Sequence, residues 1–252
     1  MSEMNNIASD SIPYTMITGG TSGIGYELAR LFAKDGHNLI LVARDEADLG
    51  VCCNKLSEEG VKVMTFSKDL SLPDSPFELY KEIQKKKGMH VDILVNNAGQ
   101  GHFGEFSETD LWKELEIIHL NISSVVVLTK FFLKEMLLRG SGKILNVSSV
   151  SNKVPGPFHS VYQGTKAFVQ SFSEAIRNEV KDKGITVTSL LPGATDTDFL
   201  SKSDMLDSDV VKEGKLADAA SVAQDGYDAL MRGDDMIVSG FKNKVQETMN
   251  NV

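Results

Sequence analysis

Residues 14–32 read Tyr14-Thr15-Met16-Ile17-Thr18-Gly19-Gly20-Thr21-Ser22-Gly23-Ile24-Gly25-Tyr26-Glu27-Leu28-Ala29-Arg30-Leu31-Phe32. A β-prone run enters a glycine-rich turn and a helical pattern leaves it, so the stretch is strand, glycine loop, helix. Without Cβ atoms, such a turn lets backbone N–H groups approach a pyrophosphate at the positive end of the helix dipole. The glycines that matter are Gly19, Gly23 and Gly25, spaced differently from the usual G-x-G-x-x-G. Taken by itself, the loop leaves an ordinary glycine-rich turn as the lesser alternative.

Outward from this unit, short β-branched runs alternate with longer helical stretches. Strands are expected at 14–18, 38–43, 62–67, 93–96, 143–148, 186–191 and 236–239, seven in all. Leu39-Ile40-Leu41-Val42 and Ile93-Leu94-Val95 are wholly apolar, as parallel strands covered on both faces require. Strands alternating with helices imply right-handed crossovers. The fold class is therefore α/β, a doubly wound seven-stranded parallel sheet of Rossmann type, with ligands expected at the carboxyl ends of the strands. No linker, repeat or low-complexity tract divides the 252 residues, so one dinucleotide-binding and catalytic domain is expected over 1–252, with 1–10 a disordered tail.

Composition narrows the functions available. A net charge of −9 argues against nucleic acid, whose binding needs clustered Lys and Arg; Lys85-Lys86-Lys87 reads as a solvated helix end. No apolar run in the sequence approaches the roughly 18 residues of a membrane span, so no membrane is expected. The first ten residues are polar and acidic, unlike a secretory signal. The only cysteines, Cys52 and Cys53, are adjacent on a helical stretch where a bridge would be strained, which fits a reducing cytoplasm. The five histidines are dispersed, and no metal is expected.

The chemistry centres on Tyr162 and Lys166, four apart in Tyr162-Gln163-Gly164-Thr165-Lys166, with Ser149 thirteen residues upstream. On a helix the two share a face, which places an ammonium beside a phenol. An adjacent cation pulls down the tyrosine pKa from roughly 10, toward the range useful for acid/base work.

These residues have company in a set order. Thr18-Gly19-x-x-x-Gly23-x-Gly25 comes first, then Asp69 after the third strand, Asn96-Asn97-Ala98-Gly99 after the fourth and Asn121 in the following helix. Ser149, Tyr162 and Lys166 follow, then Pro192-Gly193-Ala194-Thr195-Asp196-Thr197 after the sixth strand. With these motifs the chain resembles the short-chain dehydrogenase/reductase family along nearly its whole length.

The resemblance implies Asn121, Ser149, Tyr162 and Lys166 as catalytic residues. Tyr162 is the general acid/base. Lys166 lowers its pKa and hydrogen-bonds the nicotinamide ribose; Ser149 steadies the substrate oxygen, though alone it would read as a serine satisfying a strand end. Asn121 lies within a helical pattern running from about 109 to 138, where asparagine is a mediocre helix former, so a local kink is expected. In the family this position holds a water linking the lysine to solvent.

The cofactor-binding set implied is Gly19, Thr21, Ser22, Gly23, Ile24, Gly25, Arg44, Asp69, Leu70, Asn97, Ala98, Gly99, Tyr162, Lys166, Pro192, Gly193, Thr195 and Thr197. Within it, Asp69 and Leu70 flank the adenine, Asp69 equally capping a turn, and Thr197 rather than Thr195 grips the carboxamide. Asn96 stitches strands together. NADP(H) is expected because Ala43, at the end of the second strand, cannot hold a ribose 2′-hydroxyl, whereas Arg44 suits a 2′-phosphate. Against this, Asp45 and Glu46 are close by, and Ser22 stands where many NADP(H) members carry a second basic residue.

The expected substrate is a small carbonyl or alcohol compound, hydrophobic or of medium size, walled by 101–103, 154–159, Phe199, Leu200, Met205 and Leu206. Residues 201–215 read as a mobile lid. A ketone or aldehyde reductase is the main reading. The alternatives are an alcohol or 3-oxoacyl thioester dehydrogenase, or a nucleotide-sensing binding protein that has lost catalysis. A homodimer or homotetramer is implied, with Leu128, Phe132, Phe168, Val169 and Phe172 facing either a partner or the sheet.

Overall fold

In the computed structural model, residues 11–152, 156–203 and 216–239 are described. The expected tail 1–10, most of the expected lid, and the wall positions Val154, Pro155, Met205 and Leu206 lie outside them.

The strands are β1 (Ile12–Thr18), β2 (Asn38–Ala43), β3 (Val63–Ser67), β4 (Met89–Asn96), β5 (Gly142–Val147), β6 (Ile185–Pro192), β7 (Thr195–Asp196), β8 (Ala217–Asp218) and β9 (Met236–Ser239). Seven form one sheet in the order β3-β2-β1-β4-β5-β6-β9, and β7 pairs with β8. Every pairing in the large sheet is parallel. This is the doubly wound sheet that the apolar runs predict. Strand order reverses between β1 and β4, so the crevice of the fold opens at their carboxyl ends.

The helices are α1 (Gly23–Lys34), α2 (Glu46–Ser57), α3 (Ser75–Gln84), α4 (Leu111–Ile118), α5 (Ser124–Arg139), α6 (Ser160–Val180), α7 (Phe199–Lys202) and α8 (Ala219–Arg232). Alternate strand residues split between two cores. Met16, Ile40 and Val42 face α3, α5 and α6, where Leu79, Leu128, Phe132 and Ile176 pack. Ile17, Leu39 and Leu41 face α1, α2 and α8, where Phe32, Leu49 and Val222 pack. Each buried side chain of this size contributes roughly 1.5–3 kcal/mol.

Three local findings differ from the sequence reading. β4 starts at Met89, where Met89–Val91 pair with Ile12–Tyr14; polar His90 and Asp92 hide that edge from an apolar-run criterion. The β7–β8 pair is too short to leave a periodic signal. The helical stretch predicted over 109–138 begins at Leu111, after Asp110 accepts from Trp112 N and Lys113 N, and is interrupted by a π turn at His119–Ser123. Asn121, where a local kink is expected, lies within that turn. The stretch 111–139 is also long and apolar enough to cross a membrane, a length that scattered polar residues hide from a count of unbroken apolar runs; here Leu128, Phe132 and Met136 on it are fully buried against the sheet.

Candidate active site

A cavity of about 630 Å³ opens over the carboxyl ends of β1, β2, β4, β5 and β6. Its floor is the first loop. Thr18 Oγ1 accepts from Asn97 N and Ala98 N, both at 3.0 Å, and Asn97 Nδ2 donates to Thr18 O and Gly19 O. These bonds fasten the glycine loop to the end of β4. In the sequence Thr18 is only the first letter of a motif, and its anchoring function emerges once β1 is known to lie beside β4.

Gly19 and Gly23 carry φ of 65° and 52°, a region that favours glycine. A Cβ on Gly25 would meet Gly19 O at 2.1 Å and Asn97 Nδ2 at 2.4 Å. Gly25 therefore lets helix and loop close on each other and, contrary to expectation, does not line the cavity. The N-terminus of α1 has no side-chain cap from Ser22 and no acidic residue in its first turn. Its N–H groups are left for a ligand, and Ser22, Gly23 and Ile24 line the cavity there. This is a cradle that fits a pyrophosphate.

Thr21, Ser22, Arg44, Asp69, Leu70, Asn97, Ala98, Gly99, Pro192, Gly193, Thr195 and Thr197 all line the same cavity, as do Ser149, Tyr162 and Lys166. Arg44 is exposed and makes no ion pair among the described residues. Asp69 caps its turn, accepting from Ser71 N at 3.0 Å and Ser71 Oγ at 2.7 Å, while Leu70 is buried. Thr195 spends its hydroxyl on Gly193 O, whereas Thr197 lies over Gly23, where a Cβ would come within 2.8 Å of its Cγ2. Asn96 does stitch strands, donating to Asn146 Oδ1 of β5 at 2.8 Å.

At the other end, Tyr162 and Lys166 lie on one face of α6, with Lys166 Nζ 5.8 Å from the Tyr162 ring centroid. Nζ donates to Val147 O at 2.8 Å. The expected influence of lysine on tyrosine needs correction. Enclosure by protein pushes the Tyr162 pKa up to about 12, opposed only by a hydrogen bond with Ser149, and Lys166 is not among the causes. Burial takes Lys166 down to about 8. Desolvation is the leading influence on both groups, since protein surrounds each of them at the base of the cavity. Ser149 Oγ also accepts from Ser151 Oγ at 2.9 Å.

Asn121 does not line the cavity; it holds the wall together. Its Nδ2 donates to Gln100 O and to Thr165 Oγ1, both at 2.9 Å, and its Oδ1 accepts from Gln100 N at 3.0 Å. The π turn aims this buried amide at the strand-end loop and at α6 between Tyr162 and Lys166. Thr165, which receives that bond, carries no signal in the sequence beyond its place between the two.

The substrate side is partly as expected. His159, Phe199 and Leu200 line the cavity, but Gly101, His102, Phe103 and Phe158 do not. Phe103 packs against Phe158 and His159 instead, with ring centroids at 5.3 and 4.8 Å. Phe158 sits at φ 69°, an unusual backbone for a bulky residue, with its carbonyl held by Gly104 N. Burial lowers the His159 pKa and favours the neutral imidazole. At the start of the expected lid, Ser203 is fully buried and its Oγ accepts from Gly101 N at 3.2 Å. Leu128, Phe132 and Val169 are buried and Phe172 packs partly buried against the core, leaving Phe168 of the five candidates exposed for a partner surface.

The comparisons with known proteins agree with this geometry. The short chain dehydrogenase family model matches residues 14–206. A very-long-chain 3-oxoacyl-CoA reductase of Rattus norvegicus is 36% identical over 186 residues, covering 71% of this chain and 58% of that protein. The chain thus spans somewhat under two thirds of the relative's length. A ketoacyl reductase of Nostoc sp. is 28% identical over 236 residues, covering 94% of this chain and 77% of that protein. Among solved structures, a short-chain dehydrogenase from Sphingobium yanoikuyae in complex with NADPH superposes with a TM-score of 0.84 at 27% identity, covering 96% of each chain. With the motifs, the sheet order and the family match all in register, the chain belongs to the short-chain dehydrogenase family.

Proposed function

We propose that the chain is an NADP(H)-dependent oxidoreductase that reduces a ketone or aldehyde to the alcohol and runs the reverse reaction when oxidised cofactor is abundant. The observation that carries this reading is a single cavity with the glycine cradle and Arg44 at one end and Ser149, Tyr162 and Lys166 at the other. The glycine cradle and Arg44 would hold the cofactor's phosphates and Lys166 its ribose, and the cofactor, when bound, would supply the hydride that the carbonyl carbon accepts. Tyr162, with its pKa near 12, is protonated at neutral pH and gives its proton to the carbonyl oxygen. Ser149, already hydrogen-bonded to Tyr162, donates to the same oxygen and stabilises the charge developing there. Lys166 remains largely an ammonium at pH 7, with donors for the ribose hydroxyls beyond the one on Val147 O. Asn121 fixes the relative position of the strand-end loop and α6.

A 3-oxoacyl thioester is the second substrate reading, supported by the names of the rat and Nostoc relatives. The nucleotide-sensing alternative is weakened because all four residues stand together and none is eroded. We place the protein in the cytoplasm, where the free thiols of Cys52 and Cys53 suit a reducing compartment, and read it as a homodimer or homotetramer.

The test is a fluorescence titration with NADPH and separately with NADH, followed by a screen of ketones, aldehydes and 3-oxoacyl thioesters. Tight NADPH and weak NADH binding is expected. Equal or tighter NADH binding would refute Arg44 as a phosphate reader, and binding of neither would refute the enzyme reading.

A further inference from the structure

The adenine end of the cavity poses a charge problem. A ribose 2′-phosphate brings between one and two negative charges. Arg44 stands there with Asp45, Asp48 and Asp69, all lining the cavity. Asp45 is engaged with Asp48 N and Asp69 with Ser71, but neither bond removes a carboxylate's charge. One exposed guanidinium among three carboxylates is a poor receptor for a dianion. The other basic side chains lining the cavity are Lys68, Lys166 and His159. Lys166 is tied to the end of β5 and His159 packs by Phe103, across β1 from Arg44.

Lys68 is at the right end. It follows β3, the strand paired with β2, and its backbone N donates to Ala43 O at 2.8 Å; Ser67 Oγ donates to Arg44 O at 2.8 Å. These bonds fix Lys68 and Arg44 on adjacent strand ends. The Lys68 ammonium is held by two carboxylates of α3, Glu82 at 2.7 Å and Glu78 at 3.4 Å. An ammonium has three donors, so one is left over. The side chains of Lys68 and Glu82 are 18% and 42% exposed, so solvent reaches the pair and screens it from the carboxylate side.

We propose that Lys68 is the second cation for the 2′-phosphate, and that Glu82 is its internal competitor, holding the ammonium until a phosphate shares or takes it. The inference rests on the NADP(H) reading above. It assigns the phosphate site to two adjacent strand ends, β2 and β3, and explains how a chain with Ser22 in the glycine loop still offers a phosphate two positive charges.

The test uses calorimetric titration of the full chain with adenosine 2′,5′-bisphosphate and with adenosine 5′-monophosphate. Both probes need no substrate and no turnover. Lys68→Met is expected to weaken the bisphosphate roughly tenfold, the loss of one charge-assisted contact, while changing the monophosphate less than twofold. Glu82→Gln, which keeps Lys68 and removes its competitor, is expected to tighten the bisphosphate severalfold and leave the monophosphate alone. Thermal melts identify a variant that misfolds, and the Glu82→Gln arm stands if Lys68→Met is one. If both variants keep the wild-type ratio of the two affinities, or Lys68→Met weakens both probes alike, the proposal is overturned. If the wild type fails to prefer the bisphosphate, the NADP(H) reading falls first; a wild-type preference that survives in both variants overturns Lys68 alone.

Discussion

Tyr162 is the residue on which turnover depends, and its environment says in which form it works. A phenol pushed to about 12 by burial is a proton donor at neutral pH. Tyr162→Phe keeps the ring packed against Phe199 and removes only the hydroxyl. Turnover is expected to fall by roughly 10³-fold or more, with NADPH affinity within about threefold, as read by steady-state kinetics and cofactor titration. A variant retaining a tenth of the activity would remove Tyr162 from the mechanism. Lys166 offers a test through stability. Its ordinary value of 10.5 drops to about 8 on burial, so between those values the unfolded chain binds more protons than the folded one and stability rises with pH. Below pH 8 the whole penalty is present, on the order of 3 kcal/mol at most, against roughly 1 kcal/mol for the bond to Val147 O. Lys166→Met should therefore raise the melting temperature of the ligand-free protein at pH 7 while abolishing turnover, with the gain shrinking as pH approaches 10.5. A lower melting temperature at pH 7 would show that the charge is not buried at a cost.

At the scale of elements, the first loop and helix make the sharpest statement. Gly25→Ala drives a Cβ into Gly19 O and Asn97 Nδ2, both part of the anchored floor. It is expected to cost more than about 2 kcal/mol and to abolish cofactor binding. A Cβ on Gly50 in α2 would meet nothing within 4 Å, and Gly50→Ala is expected to stabilise by up to about 1 kcal/mol. Chemical denaturation of the two variants should move in opposite directions; shifts of the same sign would contradict this account of the loop. The contrast also marks what the sequence makes readable. Apolar runs such as Leu39–Val42 announce buried parallel strands directly, and the glycine spacing announces the loop. The π turn at His119–Ser123 is legible only as a misplaced asparagine, since no composition distinguishes a π turn from an α-helical one. Lys68 carries no signal at all: a lysine after a strand is unremarkable until β3 is known to lie beside β2.

Across the whole molecule, the site is assembled from strand ends far apart in sequence, which is why its members are readable in order but its charge balance is not. That Tyr162 and Lys166 are both enclosed by protein, and that desolvation is the leading influence on each, follows only from the folded site. The same holds for the outer surface. Of the five apolar positions considered for a partner contact, Leu128, Phe132 and Val169 are buried in the monomer, while Phe168 remains 38% exposed and stacks on Phe172 with centroids 5.6 Å apart. Phe168 on α6 and Leu111 and Trp112 on α4, the helix packed against α6, are exposed apolar side chains, and the proposed oligomer is expected to cover Phe168. Light scattering at micromolar concentration is expected to give a mass at least twice the 27.5 kDa of the chain. Phe168→Glu places a charge on that face without touching either core, and is expected to shift the mass toward the monomer while leaving the melting transition cooperative. A wild-type monomer would refute the oligomer reading, and an unaltered oligomer in the variant would move the interface away from α6.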